Sequence, residues 1–191
     1  MAIDGQFSEE ELKRVEEEVA IEIKEAFEKA VAAAEPDIDD VEKYVFVPTP
    51  ITEEKGARTG AGKDKVIMVD AALFAIRELM EKHEECILFG QDVGKRLGGV
   101  FREAATLGEQ FGDHRVFNTA IQEAYIIGST VGMSAVGVRP IVEVQFADYI
   151  YPGYDQIVSE VAKMRYRTAG EWTMPMVIRS PYGGGIFGRQ T

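Results

Sequence analysis

The chain is poor in the residues that build disulfides and metal sites. Its 191 residues include one cysteine, Cys86, and two histidines, His83 and His114. A single cysteine excludes an intramolecular disulfide framework and indicates a reducing, cytoplasmic compartment. The histidines lack partners at ligand spacing, so they predict surface positions and not a metal site. Cys86, in "ECILFG", is expected to be a small buried hydrophobic residue.

Long apolar runs and basic clusters are also missing. The longest uncharged stretch, 124–138, has fifteen residues, whereas a membrane-spanning helix needs about 20. The first residues show no basic segment followed by an apolar one, so we expect no secretory signal. Lys and Arg total 21 against 33 acids, for a net charge of −12. Clustered Lys and Arg hold nucleic acids, so their absence predicts no such partner, and no membrane partner is expected either.

Several catalytic and nucleotide-binding motifs are absent or incomplete. The sequence contains no G-x-S-x-G and no H-E-x-x-H. "GARTGAGKD" misses P-loop spacing by one residue and has Asp64 where Ser or Thr would bind Mg²⁺. "GGGIFG", 183–188, fits G-x-G-x-x-G, but no helix is visible after it. A dinucleotide fingerprint and a glycine-rich turn beside another ligand both remain open for it.

The acidity that is present belongs to the N-terminal segment. Residues 1–42 hold fifteen acids and four bases, and the remaining residues hold eighteen acids and seventeen bases. Ser8 and Glu11 form a capping-box pattern before apolar residues that recur every three or four positions. We predict an acidic amphipathic helix over 1–35, a linker over 36–65 containing an exposed glycine-rich stretch, and a folded domain over 66–191.

Within the domain, predicted helices and strands alternate. The predicted elements are a helix over 69–82, strand "CILFG", a short helix over 102–111, strand "RVFN", a helix over 122–136, strand "PIVEVQF", a helix over 153–167 and strand "MPMVIRS". Such βαβ units indicate an α/β fold with a parallel sheet and helices on both faces. Ligands of these sheets bind at the carboxyl ends of the strands.

One acid, Glu123, stands at the head of the uncharged stretch. Its position favours an ordinary role, because a negative charge stabilises the start of a helix by about 0.3–1 kcal/mol. Ala124, Gly128 and Gly132 follow at spacings of four. This stripe of small residues predicts that another backbone or ring approaches the helix closely.

Four segments together resemble a known family. They are "FGQDVG…GGVFR", "RVFNTAIQEAYIIGSTVGMSAVGVRPI", "EVQFADYIYPGYDQIVSEVAKMRYR" and "IRSPYGGGI". In order and spacing they resemble the β subunit of the thiamine-diphosphate-dependent 2-oxo acid dehydrogenase E1 component, over about residues 65–191. The resemblance implies a transketolase-like pyrimidine-binding domain. "EKYVFVP" and the acidic helix resemble the end of an α subunit, so the parent is expected to be a fused single-chain E1.

The resemblance assigns roles to particular residues. Glu123 matches the glutamate that hydrogen-bonds N1′ of the cofactor's aminopyrimidine and so favours the 4′-imino tautomer, whose nitrogen removes the thiazolium C2 proton. Tyr149 matches the aromatic residue that stacks on this ring. Gln145, the backbone of Ile121, and Gln91, which stands where many relatives have glutamate, match further cofactor contacts. No residue of this chain is expected to bind metal.

The resemblance also implies partners. The segment that binds the diphosphate and Mg²⁺ would lie in an E1 α-type domain or subunit, and an active-site histidine would follow the last residue of this chain. The parent would decarboxylate a 2-oxo acid, with the branched-chain type favoured, and transfer the acyl group to a lipoyl acyltransferase E2. We expect a dimer or heterotetramer, with the fragment inactive alone. A transketolase or deoxyxylulose-phosphate-synthase-like domain, a nicotinamide oxidoreductase and a non-catalytic assembly domain are the alternatives.

Overall fold

A computed structural model describes residues 7–46, 64–95 and 97–182 of the chain. The chain divides into two units, Met1–Glu42 and Lys43–Thr191. The predicted glycine-rich stretch and the "GGGIFG" segment both lie outside the described residues. Among the helices inside the described ranges, none combines the length and apolar character that a membrane span requires.

The N-terminal unit contains helix α1, Glu9–Ala32, and a 3₁₀ turn, Ile38–Glu42. The predicted capping box is confirmed, because the Ser8 hydroxyl accepts the Glu11 N–H at 3.2 Å and the Glu11 carboxylate accepts the Ser8 N–H at 2.8 Å. The amphipathic helix is therefore confirmed as an element. None of its residues is buried, and most of its apolar stripe, including Phe27, is exposed.

The second unit is built from alternating helices and strands. Its elements in chain order are α2 (Met68–Lys82), β1 (Cys86–Gly90), α3 (Leu107–Phe111), β2 (Val116–Asn118), α4 (Glu123–Ala135), β3 (Arg139–Glu143), a 3₁₀ turn (Ala147–Gly153), α5 (Tyr154–Gln156), a π-helical turn (Ile157–Val161), α6 (Ala162–Arg167) and β4 (Val177–Arg179). Each strand except the last is followed by a helix, as a parallel sheet requires.

The four strands within the described residues form one parallel sheet in the order β2-β1-β3-β4. Leu88 pairs with Val116 on one side and with Ile141 on the other, and Ile141 pairs with Val177. The expected parallel α/β sheet is confirmed. Because all four strands run in the same direction, their carboxyl ends lie along one edge.

The alternation of side chains along the strands divides the core between the two faces of the sheet. On one face, Leu88 and Ile141 pack with Met80 of α2 and Leu107 of α3. Cys86 is buried in this cluster, as expected, and burial raises the pKa of its thiol. On the other face, the residues that pack together are Phe89, Ile126, Val142, Phe117, Met133 and Ile178. Helices therefore cover both faces of the sheet, and α4 packs against one of them.

Some predicted boundaries were wrong. The helix predicted over 102–111 begins only at Leu107, because Arg102 and Thr106 have left-handed φ angles of 62° and 70° that a helix cannot contain. The helix predicted over 153–167 is interrupted by the π-helical turn. The strand predicted over 140–146 ends at Glu143, and the chain then turns towards the 3₁₀ segment.

Candidate functional site

The predicted site residues follow the carboxyl ends of three strands. Gln91 comes after β1, Ile121 and Glu123 come after β2, and Gln145 and Tyr149 come after β3. Since β1 lies between β2 and β3 in the sheet, these segments are neighbours along one edge. This edge is the ligand-binding edge of open parallel sheets, so it is the candidate site.

Glu123 is the first residue of α4. Gln122 caps the helix, with its side-chain oxygen accepting the Ala124 N–H at 3.1 Å. The Glu123 side chain is half-buried, and within residues 64–95 and 97–182 its carboxylate has neither a hydrogen bond nor an ion pair. The carboxylate therefore has free acceptor positions beside the positive end of the helix dipole.

A glycine brings the start of α4 against the 3₁₀ turn that contains Tyr149. A Cβ atom added to Gly153 would stand 2.5 Å from Cδ1 of Ile127 and 3.0 Å from the carbonyl oxygen of Glu123. No side chain fits in this space without displacing its neighbours. The absence of a side chain at Gly153 thus sets how close the turn 147–153 lies to the first turn of α4.

The small residues along α4 meet the prediction only in part. A Cβ atom added to Gly128 would stand 2.8 Å from the side-chain oxygen of Gln156, so this glycine does admit a close neighbour. Gly132 has no atom within 4 Å of the same position. The close approach is therefore limited to the first half of the helix, on the side where α5 packs.

Tyr149 and Gln145 are each held by a specific neighbour. The Tyr149 ring meets Phe146 edge-on, with centroids 5.4 Å apart and planes at 79°. The Gln145 side-chain amide donates to the Asp92 carboxylate at 3.2 Å. This bond joins the segments that follow β3 and β1, next to Gln91.

The other predicted cofactor contacts, Ile121 and Gln91, are more exposed to solvent or bonded less to their neighbours. Ile121 is 72% exposed, and Gln91 is half-buried. In the part of the chain that the structure describes, no hydrogen bond joins the Glu123 side chain to Gln91, Gln145 or Tyr149. The edge thus brings the predicted residues to one region without bonding them to each other.

The prediction missed a buried ion cluster beside this edge. Arg179, the last residue of β4, donates through Nη1 to the carboxylates of Glu143, at 2.8 Å, and of Glu103. Both carboxylates are almost completely buried, and Arg179 is about one-fifth exposed. Two acids share one base, so burial, and then the charge of Glu103, raise the pKa of Glu143 to about 7 despite Arg179.

The ion cluster had a weak signal in the sequence. Glu143 ends the apolar strand "RPIVE", and Arg179 ends the short strand "VIR". A charged residue that continues a buried strand needs a partner, and adjacent strands offer each other one. The third member, Glu103, lies 40 residues before Glu143 in a segment without regular structure, so its part was not visible.

The described residues offer general acid–base and stacking groups. A half-buried carboxylate without a partner can accept or hold a proton, and an aromatic ring nearby can stack on a flat heterocycle. No group of three or more His, Cys, Asp or Glu side chains within the described ranges could hold a metal ion. The arrangement is suited to a neutral or cationic nitrogen heterocycle.

Comparisons with known proteins match the same part of the chain. The family model described as "Transketolase, pyrimidine binding domain" matches residues 64–190. The chain is 50% identical over 124 residues to the 2-oxoisovalerate dehydrogenase subunit beta of Pseudomonas aeruginosa. The matched residues make up 65% of this chain and 35% of that protein. It is 47% identical over 121 residues to the pyruvate dehydrogenase E1 component subunit beta of Acholeplasma laidlawii. The matched residues make up 63% of this chain and 37% of that protein.

A further relative gives the same result. The chain is 48% identical over 120 residues to the 2-oxoisovalerate dehydrogenase subunit beta of Bacillus subtilis, covering 63% of this chain and 36% of that protein. The chain therefore spans about a third of the length of these relatives. The resemblance drawn from the sequence motifs is confirmed.

Proposed function

Because the chain belongs to the transketolase pyrimidine-binding domain family, we propose that it supplies the aminopyrimidine-binding half of a thiamine diphosphate site. The observation that carries this proposal is the Glu123 carboxylate, half-buried at the start of α4 and without a partner among the described residues. A carboxylate at that point is free to bond a ring nitrogen of the cofactor.

The chemistry of the neighbouring side chains fits an aminopyrimidine. Glu123 would hold a proton at ring nitrogen N1′, and Tyr149 would stack on the ring face. Gln145 donates one amide hydrogen to Asp92, and its amide oxygen is suited to accept from the exocyclic amine. Gln91 and the backbone of Ile121 would complete the ring edge. When bound, thiamine diphosphate supplies the nucleophilic carbon that attacks the carbonyl group of a 2-oxo acid.

The whole protein would be the E1 component of a cytoplasmic 2-oxo acid dehydrogenase complex. An E1 α-type domain or subunit would bind the diphosphate and Mg²⁺, and a lipoyl acyltransferase E2 would accept the acyl group. Ile121 and Tyr125 are exposed at the start of α4, and Tyr151 is exposed in the adjoining turn. Apolar side chains of this size support a covering partner, in a dimer or heterotetramer.

A branched-chain 2-oxo acid is the substrate class we favour. The similarity to 2-oxoisovalerate dehydrogenase β subunits, 48–50% identity, supports this choice, although the pyruvate dehydrogenase relative reaches 47%. The motif "QFADYIYPGYDQ" is the sequence feature on which the preference rests. An assay with both acids separates the two classes.

A chimera tests the proposal. Residues 64–190 of this chain would replace the matching segment of the Pseudomonas aeruginosa subunit beta, which is then assembled into its dehydrogenase. We expect turnover of 2-oxoisovalerate, faster than turnover of pyruvate, and loss of turnover in Glu123→Gln. Asp70→Asn is the matched control, because Asp70 is also a half-buried acid in the first turn of a helix, α2, on the opposite face of the sheet.

Two results would contradict the proposal. One is a chimera that assembles and binds thiamine diphosphate but does not turn over either acid. The other is a Glu123→Gln variant as active as the Asp70→Asn control. Preferred turnover of pyruvate would overturn only the substrate class.

A further inference from the structure

The loop between β1 and α3 contains several residues in left-handed conformations. Asp92, Lys95, Arg102 and Thr106 have φ angles between 56° and 70°. Non-glycine residues avoid this region, and each such conformation costs on the order of 1–3 kcal/mol when it is strained. Surrounding contacts must hold the loop in place.

The ion cluster provides those contacts for segment 98–103. The Phe101 N–H donates to Oε2 of Glu103 at 2.9 Å, and the Val100 N–H donates to Oε1 of Glu143 at 3.4 Å. Arg179 bonds the other oxygen of each carboxylate. The cluster therefore ties the backbone of segment 98–103 to the last residues of β3 and β4.

Gly99 shows how closely the segment and the cluster fit. A Cβ atom added there would stand 2.8 and 2.9 Å from the two carboxylate oxygens of Glu143 and 3.2 Å from Oε2 of Glu103. Its φ angle of 81° is also one that residues with side chains rarely adopt. Only glycine allows the backbone to lie against both carboxylates.

Segment 98–103 is connected to Gln145 by hydrogen bonds. The Gly99 N–H donates to the Asp92 carbonyl oxygen at 2.9 Å, and the Asp92 carboxylate accepts from the Gln145 amide at 3.2 Å. Gln145 lies two residues after Glu143. The contacts thus form a closed ring from Glu143 through the segment and Asp92 to Gln145.

A second connection runs through aromatic rings to Tyr149. The Phe101 ring meets Phe146 edge-on, with centroids 6.1 Å apart and planes at 82°. Phe146 in turn meets Tyr149 edge-on at 5.4 Å. Displacement of segment 98–103 would therefore move the ring chain as well as the hydrogen-bonded ring.

We propose that Glu103, Arg179 and Glu143 are positioning residues, which hold segment 98–103 so that Gln145 and Tyr149 stay in place for the cofactor. That Gln145 and Tyr149 are held for a cofactor rests on the function proposed above, whereas the coupling of these residues to the ion cluster does not. Arg179 joins two buried carboxylates, and its removal would leave both of them without a compensating charge, so the coupling is expected to be strong.

The test begins with the wild-type 191-residue chain and nuclear magnetic resonance. Within the described ranges, Glu103 from the segment and Arg179 from β4 are the charged side chains facing Glu143. As the pH is varied, we expect the chemical shifts of the Gln145 side-chain amide and of the Tyr149 ring to change with the same midpoint as the Glu143 carboxyl signal. Glu143→Gln removes this shift, because the amide does not titrate.

Glu85→Gln is the matched control. Glu85 precedes β1 and pairs with Arg139 of β3 at 3.2 Å, so it joins an acid to an arginine across the sheet at the opposite edge. We expect its loss to leave the pH dependence of Gln145 and Tyr149 unchanged.

In the chimera, Glu143→Gln should raise the KM for thiamine diphosphate by about tenfold, the cost of about one hydrogen bond. The value of kcat at saturating cofactor should stay within about twofold.

The outcomes separate the two proposals. If the Gln145 and Tyr149 signals do not follow Glu143 in the wild-type chain, the positioning inference is overturned, and no variant has to fold for this result. Signals that follow Glu143, together with a chimera that has no turnover, would retain the coupling and reject the function. A kcat that falls at unchanged KM in Glu143→Gln would also contradict positioning of the cofactor.

Discussion

Two glutamates near the carboxyl edge of the sheet differ in how far the sequence explains them. Glu123 could be found because it opens an uncharged helix and is flanked by family motifs, although its position alone favoured a helix-end acid. The partners of Glu143 could not be found. Arg179 and Glu103 are distant in the sequence, and only the pairing of β3 with β4 and the path of the loop bring the three together.

The raised pKa of Glu143 predicts an unusual dependence of stability on pH. Its pKa is about 7 in the folded chain and has the ordinary value of 4.5 when unfolded. Between these values the folded chain retains a proton that the unfolded chain has lost, so the free energy of unfolding falls as pH rises. The loss is about 3 kcal/mol and is complete above about pH 7. Urea unfolding of wild type and Glu143→Gln over this window measures it.

The difference between wild type and variant isolates this residue. Glu85→Gln serves as the comparison, because hydrogen bonding to its own backbone and the nearby Arg139 and His83 lower the pKa of Glu85. Its contribution is lost only as pH falls below the ordinary carboxyl range, so its difference from wild type should be flat above about pH 5. A flat difference for Glu143→Gln would show that Glu143 is ionised throughout.

At the scale of elements, periodicity predicted the elements that pack on the sheet. The helices α2 and α4 and the strands β1 and β2 lie within about two residues of their predicted bounds. These elements have strong apolar patterns that tertiary contacts reinforce. The sequence predicted too early a start for the short α3, because hydrogen bonds to buried carboxylates, and not helix propensity, fix the backbone before Leu107.

Packing of the 3₁₀ turn against α4 predicts opposite effects for two glycine substitutions. Gly153→Ala inserts a methyl group against Ile127 and the Glu123 carbonyl and should destabilise the fold by about 1–3 kcal/mol. Gly132→Ala, in the interior of α4 with open space around it, should stabilise it by about 0.5–1 kcal/mol. Chemical denaturation of both variants provides the measurement.

Each outcome of this pair has a meaning. Equal stability of Gly153→Ala and wild type would show that the turn and α4 leave room for a methyl group at this position. A destabilising Gly132→Ala would mean that a neighbour covers this face of the helix. The pair thus tests the contact that sets the Tyr149 turn beside Glu123.

At the scale of the whole molecule, the sequence predicted the class of the sheet and the family. It also located the acidity in the N-terminal segment, which forms a separate unit. The domain bounds and the roles of Glu123, Gln91, Ile121, Gln145 and Tyr149 remain predictions. If the chain carries only half of a cofactor site, its partner supplies the diphosphate and metal contacts, so the 191-residue chain should not decarboxylate any 2-oxo acid alone.

The rate at which bound thiamine diphosphate exchanges its C2 proton measures the role proposed for Glu123. It reports on the step that Glu123 would promote and does not depend on the choice of 2-oxo acid. In the assembled chimera, we predict that Glu123→Gln slows exchange by about 10²- to 10⁴-fold, the usual contribution of general acid–base catalysis, while Asp70→Asn exchanges at the unmodified rate. Exchange in Glu123→Gln as fast as in Asp70→Asn would contradict the account and leave Glu123 as an acid at the start of a helix.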